Sequence, residues 1–283
     1  MKNYLSLIKF SHTIFALPFA IIGFCLGIST SGNKFQWMDL LLVLCCMLFA
    51  RSAAMAFNRY IDSEIDKQNI RTANREIPAG VLSKQKVLFF VLLNCAGFII
   101  AAGLLNKLCL YLSPVALAVI LGYSYTKRFT WLCHFILGVG LSLAPVGAYI
   151  AVTEYFALLP ILFSVIVFTW VSGFDIIYAL QDEEFDKEKS LFSVPAAIGK
   201  KKALIVSAIV HLTTALLLFV VGLVGKFGTI YWIGAGFFTG MLIYQHLLVK
   251  PHDLSKVNLA FFTTNGIASV IFGILVISDL FLF

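Results

Sequence analysis

Ten of the chain's fourteen acidic residues fall in two short segments. Asp62, Glu64, Asp66 and Glu76 form the first, and Asp175, Asp182, Glu183, Glu184, Asp186 and Glu188 form the second. Within each, the aspartates keep helical spacing. At about 100° per residue, Asn58, Asp62 and Asp66 advance by roughly 40° per step and share one face, with Arg51 on that face about two turns away. Asp175, Asp182 and Asp186 lie within roughly 20° of a common line, and Tyr178 lies about 60° from it. Glu64 and Glu184 point elsewhere. Rows of carboxylates suit a hard divalent cation. Magnesium takes oxygen ligands and is commonly held by one or two carboxylates, with substrate phosphates completing its shell. Facing helices of a bundle are a usual place for such a site.

The elements that must carry these residues follow from composition. Of 283 residues, 60% are hydrophobic and 12% charged, against roughly 45–50% and 25% for soluble domains. So little charge cannot cover a water-facing surface, which makes this an all-α integral membrane protein. The same figures exclude a disordered chain, a disulfide scaffold and a nucleic-acid-binding domain. A span needs about 20 apolar residues. Such stretches lie near 12–30, 37–57, 87–105, 108–126, 132–152, 157–178, 203–224, 228–249 and 258–281, giving a bundle of about nine helices and one domain over 1–283. The flank of the first stretch, Ser29 to Ser31, is a weak cleavage site, so it reads as a retained helix. The six cysteines fall in apolar stretches without a C-x-x-C pair, so they read as buried thiols.

Charge sets the orientation. With the N-terminus in the cytoplasm, seventeen Lys and Arg residues (Lys2 and Lys9 among them) fall inside, against Lys34, Lys107 and Lys226 outside; Arg51 lies within a span. This follows the positive-inside rule. Four helices separate the two acidic segments, so both face the cytoplasm at the mouth of the bundle.

The sequence Asn58-Arg59-Tyr60-Ile61-Asp62-Ser63-Glu64-Ile65-Asp66 resembles the N-x-x-x-D-x-x-x-D motif of the UbiA intramembrane prenyltransferases. Asp175-Ile176-Ile177-Tyr178, with Asp182 and Asp186, is similar to that family's second motif, D-x-x-Y-x-x-x-D-x-x-x-D. Arg71-Thr72-Ala73-Asn74-Arg75, with Pro78 and Gly80, resembles its R-T-x-N-R-x-x-P-x-G loop, and Tyr123 to Arg128 its Y-x-x-x-K-R segment. The segment 129–152, with Trp131, His134 and Pro145, looks most like the 4-hydroxybenzoate polyprenyltransferase-like branch. Arg59 departs from the family, which often has Asp there. Arg59 and the loop pair Glu76 and Ile77 are expected to lie off the aligned face.

The resemblance implies Mg2+-dependent transfer of a polyprenyl group from its diphosphate to an aromatic acid, with 4-hydroxybenzoate in ubiquinone synthesis as the leading acceptor. A dihydroxynaphthoate in menaquinone synthesis is an alternative. It further implies a multi-pass protein of the cell (inner) membrane, opening sideways so that the prenyl tail stays in lipid. Asn58, Asp62 and Asp66 would hold one ion, and Asp182 and Asp186 the other. Arg75, Lys127 and Arg71 would clamp the diphosphate. Tyr178 and Tyr123 would shield an allylic cation, and Asp175 would orient a basic partner or take the released proton. Arg51, deep on the metal face, would bind the acceptor carboxylate. Among rivals, a secondary transporter would place its ionisable groups near mid-membrane, whereas these gather at one mouth. His12 and His134 read as packing residues. Pro18, Pro114, Pro145 and Pro160 are expected to kink helices, and the pairs Gly23/Gly27 and Gly236/Gly240 to mark close helix packing.

Overall fold

The protein is described by a computed structural model, covering residues 2–7, 15–32 and 34–282. Lys9 and His12 lie outside the described residues. Every named element is helical: α1 (Lys2–Leu7), α2 (Leu17–Ser31), α3 (Trp37–Ile61), α4 (Ser63–Gln68), α5 (Lys84–Leu105), α6 (Lys107–Thr126), α7 (Cys133–Thr153), α8 (Leu158–Ala179), α9 (Glu183–Glu188), α10 (Val194–Ile198), α11 (Lys200–Val224), α12 (Thr229–Leu248) and α13 (Asn265–Leu282). Nine of these are long and occupy the nine expected stretches. Seven described segments are long and apolar enough to cross a membrane: α3, α5, α6, α7, α11, Leu158–Glu188 and Leu259–Leu282. The apolar α2 is shorter, with 15 residues.

Most of these helices leave a large apolar area outward (Phe89, Leu93 and Ile100 on α5, Ile209, Leu212 and Leu216 on α11), as a hydrocarbon solvent requires. The interior is aromatic. Phe19, Trp170, Phe238 and Phe272 from α2, α8, α12 and α13 pack with centroid separations of 5.2–6.2 Å. Close packing explains Gly23, where a Cβ would overlap the Pro145 backbone, and Gly27, which meets Val152 and Tyr149; together they seat α2 on α7. Gly236 and Gly240 face open space, so among the described residues that pair has no close-packed neighbour. Pro18 sits in the first turn of α2, where a missing N–H is harmless. Only Pro114 and Pro145 are interior to their helices.

One polar knot lies inside this apolar interior. Asn265, fully buried, accepts from Trp170 Nε1 at 2.8 Å and from Gln245 Nε2 at 2.5 Å. Its Nδ2 donates to the Phe261 carbonyl at 2.9 Å. The preceding turn, Leu259–Thr264, is π-helical, and the Asn265 amide helps satisfy its carbonyls. Replacing Asn265 with Leu orphans two buried donors, at about 1–3 kcal/mol each. A lower midpoint of thermal denaturation in detergent is expected, and an unchanged curve would contradict this role.

Candidate active site

Asp62 ends α3 at φ −88°, ψ 2°, and the chain restarts as α4. The row read as one helix is therefore two, joined at a metal-ligand candidate. The hydrogen-bond ladder crosses the junction: Asp62 N–H donates to the Asn58 carbonyl at 2.9 Å and Asp66 N–H to that of Asp62 at 2.7 Å. That continuity keeps Asn58, Asp62 and Asp66 together. The second row is also interrupted, by a 3-10 turn at Leu180–Asp182 between α8 and α9.

The residues expected to bind metal, diphosphate, allylic cation or acceptor line one cavity of about 980 Å³. Asn58, Asp62, Asp66, Asp182 and Asp186 line its wall, as do Arg51, Arg71, Arg75, Tyr123, Lys127, Asp175 and Tyr178. The aspartates at the mouth are held by basic side chains. Asp62 accepts from Lys127 Nζ at 2.6 Å, Arg128 Nη2 at 2.8 Å and Asn58 Nδ2 at 3.1 Å. Asp66 Oδ1 accepts from Arg75 Nη1 at 2.6 Å. Asp182 is gripped by both Nε and Nη2 of Arg71 and by Asn69 Nδ2 at 3.0 Å. Asp186 accepts from Ser193 Oγ at 2.8 Å. Arg71 also donates to the Tyr178 hydroxyl at 3.1 Å, with its guanidinium carbon 5.5 Å from that ring's centre. Burial opposes the charge on Arg71, but the hydrogen bonds and charge of Asp182 outweigh it and hold its pKa above the ordinary arginine value. Outside the mouth, exposed Glu64 pairs with Lys84 at 2.7 Å, and Glu184 faces away, as their helical angles require.

Several participants escaped the sequence reading. Arg128 holds Asp62; the sequence places it in the Y-x-x-x-K-R segment but assigns it no role. Asn69 reaches Asp182 from the loop after α4. Arg59, expected off the site, is buried on the cavity wall, and Glu76 lines it as well, accepting from Ser6 Oγ at 2.5 Å. The short α1 packs Leu7 against Ile77 and Leu82 of that loop, and its Ser6 holds Glu76. His134 is buried as expected, yet it belongs to the site: its Nδ1 lies 2.7 Å from Asp175 Oδ2, and Val194 N–H donates to its Nε2 at 3.2 Å. An accepting Nε2 leaves the proton on Nδ1, so His134 fastens Asp175 to the loop that carries Ser193. Phe261 and Phe262, from the π-helical turn, complete the wall, with the Phe261 ring 4.2 Å from that of Tyr178.

The donors suit a hard cation. Asp66 Oδ2 is buried without a hydrogen-bond partner, an orphaned carboxylate oxygen on a residue that lines the cavity. Among the described residues no three His, Cys, Asp or Glu side chains converge to hold an ion alone. A cation here would therefore draw part of its shell from a ligand, which is magnesium's habit with phosphates. Deeper, about two turns along α3, Arg51 lines the cavity with Nε buried and unpartnered.

A membrane-embedded helical bundle with paired aspartate clusters at one mouth defines a class of intramembrane transferases, and comparison with known proteins places the chain within it. The sequence pattern of the UbiA prenyltransferase family matches residues 16–267, and the chain belongs to that family. It is an enzyme, a prenyltransferase of the 4-hydroxybenzoate polyprenyltransferase-like branch. A relative from Aliivibrio fischeri (strain MJ11), named 4-hydroxybenzoate octaprenyltransferase, is 29% identical over 238 residues, covering 84% of this chain and 82% of its own. Among solved structures, the apo form of a UbiA homologue from Aeropyrum pernix K1 superposes with a TM-score of 0.86 at 31% identity, covering 95% of this chain and 98% of that one. A UbiA homologue from Archaeoglobus fulgidus, bound to DMAPP and Mg2+, shares the fold with a TM-score of 0.76 at 19% identity, covering 98% and 99%.

Proposed function

We propose that this enzyme transfers a polyprenyl group from a polyprenyl diphosphate to an aromatic acid, 4-hydroxybenzoate, in a Mg2+-dependent step of ubiquinone synthesis. The observation that carries the acceptor is Arg51. A guanidinium buried in a span with Nε unpaired is costly, and an acceptor carboxylate would satisfy it with charge-assisted hydrogen bonds. The acids at the mouth carry the donor. Bound between Asn58, Asp62 and Asp66 on one side and Asp182 and Asp186 on the other, magnesium would supply neutralising charge to the departing diphosphate.

The chain's own groups do the rest. Lys127, Arg75 and Arg71 rest on the carboxylates through long side chains, so they can turn from carboxylate to phosphate oxygens without moving a helix. Tyr178 presents its ring to the cavity beside Phe261, and Tyr123 lies on the same wall; their faces favour the positive charge that develops on the allyl carbon. The acceptor ring, fixed by Arg51, attacks that carbon. Asp175, held by His134, accepts the ring proton. The distribution of Lys and Arg supports a reading with this mouth on the cytoplasmic side of the cell membrane.

The test is product formation in nanodiscs from a labelled polyprenyl diphosphate against a panel of acceptors, including 4-hydroxybenzoate and a dihydroxynaphthoate. Prenylated 4-hydroxybenzoate, formed only with magnesium, is expected. Product from the dihydroxynaphthoate alone, or from no acceptor with folded protein, would overturn this assignment.

A further inference from the structure

The basic side chains around the acids divide into two groups. Arg71, Arg75, Lys127 and Arg128 each rest on a carboxylate of the two clusters. Arg51 and Arg59 pair with none among the described residues, and each keeps a buried Nε without a hydrogen-bond partner. Arg51 lies deep, where an acceptor carboxylate would satisfy it. Arg59 lies eight residues on along α3, about 12 Å nearer the mouth, and needs a partner of its own. It lines the cavity and is only 7% exposed, so its head does not snorkel to the membrane surface. A cation in the last turn of a helix gains from the macrodipole, but that gain requires no burial.

Helical angles place the residue. Arg59 falls about 100° from Asn58 but only about 20° from Asp66, two turns away. The hydrogen-bond ladder continues through the junction of α3 and α4, so this register carries across the break. The charged and ionisable groups around its head are Arg75, Asp66 and Glu76 toward the mouth, and Tyr123, which lies one turn inward of Lys127. This neighbourhood calls for an anion. Arg59 and Arg75 are like charges near one another on a cavity wall, and they repel unless negative charge lies between them. Asp66 does not fill that place for both. Its Oδ1 accepts from Arg75 Nη1 at 2.6 Å, and its Oδ2 stays buried and unpartnered. One acceptor and one donor are thus left over in the same neighbourhood. A leftover carboxylate oxygen suits a cation and a leftover guanidinium an anion, and a metal diphosphate brings both.

We propose that Arg59 binds the α-phosphate of the prenyl donor, the phosphate joined to the allyl carbon, as a further residue of the donor site. This deepens the donor reading above and rests on it. Arg71 and Arg75 come from the loop at the mouth, whereas Arg59 comes from the span, about 10 Å inward of Asp66 along α3. The cavity continues inward from there to Arg51, so the tail side of a diphosphate anchored at the acids faces Arg59. When the C1–O bond breaks, its electron pair passes to the bridging oxygen of the α-phosphate, and the diphosphate leaves with that charge. A guanidinium held there stabilises the charge as it develops. The acceptor ring then bonds to C1, and its displaced proton goes to Asp175. Many members of the family have Asp where this chain has Arg59, so this wall carries one carboxylate fewer and one guanidinium more. Part of the diphosphate charge is therefore neutralised here without a metal ion.

The experiment measures the dissociation constant of labelled geranyl thiodiphosphate, which is not cleaved, in nanodiscs with magnesium and with EDTA. Wild type is expected to keep measurable binding in EDTA, and its absence would overturn the metal-independent share. Arg59→Gln is expected to weaken binding about ten- to a hundredfold in magnesium, the range for one lost charge-assisted hydrogen bond. The residual binding in EDTA should weaken by a similar factor. Arg59→Lys should recover part of the loss through its point charge. Thermal stability should not fall, because among the described residues no carboxylate pairs with Arg59. An unchanged constant in Arg59→Gln overturns the proposal and leaves the donor reading standing, whereas wild type that binds no thiodiphosphate in magnesium overturns both. Weaker binding that follows a lower melting temperature, and disappears at matched folded fraction, makes Arg59 structural and overturns the proposal. Geranyl monophosphate locates the contact. It keeps only the α-phosphate, so Arg59→Gln should weaken its binding by a similar factor, and a loss confined to the diphosphate would overturn the α-phosphate assignment.

Discussion

Asp62→Asn should lower kcat/KM for prenyl transfer by about 10²–10³-fold, the usual loss when one group that stabilises transition-state charge is removed. The substitution keeps the shape and a hydrogen-bonding oxygen but deletes the charge on which three donors converge: Lys127, Arg128 and Asn58. Asp182→Asn, which strands Arg71, should act to a similar degree. The double variant should fall well short of the product of the two losses, because groups that act as one unit are not additive. Initial rates at saturating magnesium check all three. A loss under tenfold in either single variant would remove the acids from the chemistry. Because truncating a buried ion pair also destabilises, each variant is compared at matched folded fraction, judged by thermal melting.

Arg51→Met should separate the two substrates. The lost interaction is a charge-assisted one worth about 1.5–3 kcal/mol, so KM for 4-hydroxybenzoate should rise roughly ten- to a hundredfold while KM for the polyprenyl diphosphate stays near its starting value. Discrimination between 4-hydroxybenzoate and an analogue lacking the carboxylate should collapse. Stability should move the other way. Arg51 sits within a span with Nε buried and unpaired, and arginine in mid-membrane carries a penalty of about 2.5–3.5 kcal/mol. A variant that melts higher and binds acceptor worse would identify Arg51 as a binding group retained against stability. Equal loss for both substrates, or lower stability, would make it structural.

These residues were legible because both rows obey helical periodicity and few other acids compete with them in so apolar a chain. The nine long helices were equally plain, since hydropathy reports burial in lipid directly. What stayed hidden depends on three-dimensional closure. Periodicity carries straight through Asp62, so the break between α3 and α4 left no mark on the angles. Arg59 lines the cavity although its neighbours suggested otherwise, and Glu76, on the same wall, is held by a contact with distant Ser6. Gly236 and Gly240 had the spacing of a packing pair, but spacing does not say whether a partner helix faces it. The π-helical turn that places Phe261 beside Tyr178 depends on Asn265, whose partners Trp170 and Gln245 lie on two other helices.

The central claim is that the two aspartate clusters together hold magnesium and the donor's diphosphate at one mouth of the bundle. The most direct test is anomalous diffraction from crystals grown with Mn2+ in place of Mg2+ and a non-cleavable prenyl thiodiphosphate. The account predicts anomalous peaks beside Asp62 and Asp66 and beside Asp182 and Asp186, with the diphosphate between them and Lys127, Arg75 and Arg71 turned onto its oxygens. A diphosphate held by the basic residues alone, with no metal at either cluster, would contradict it.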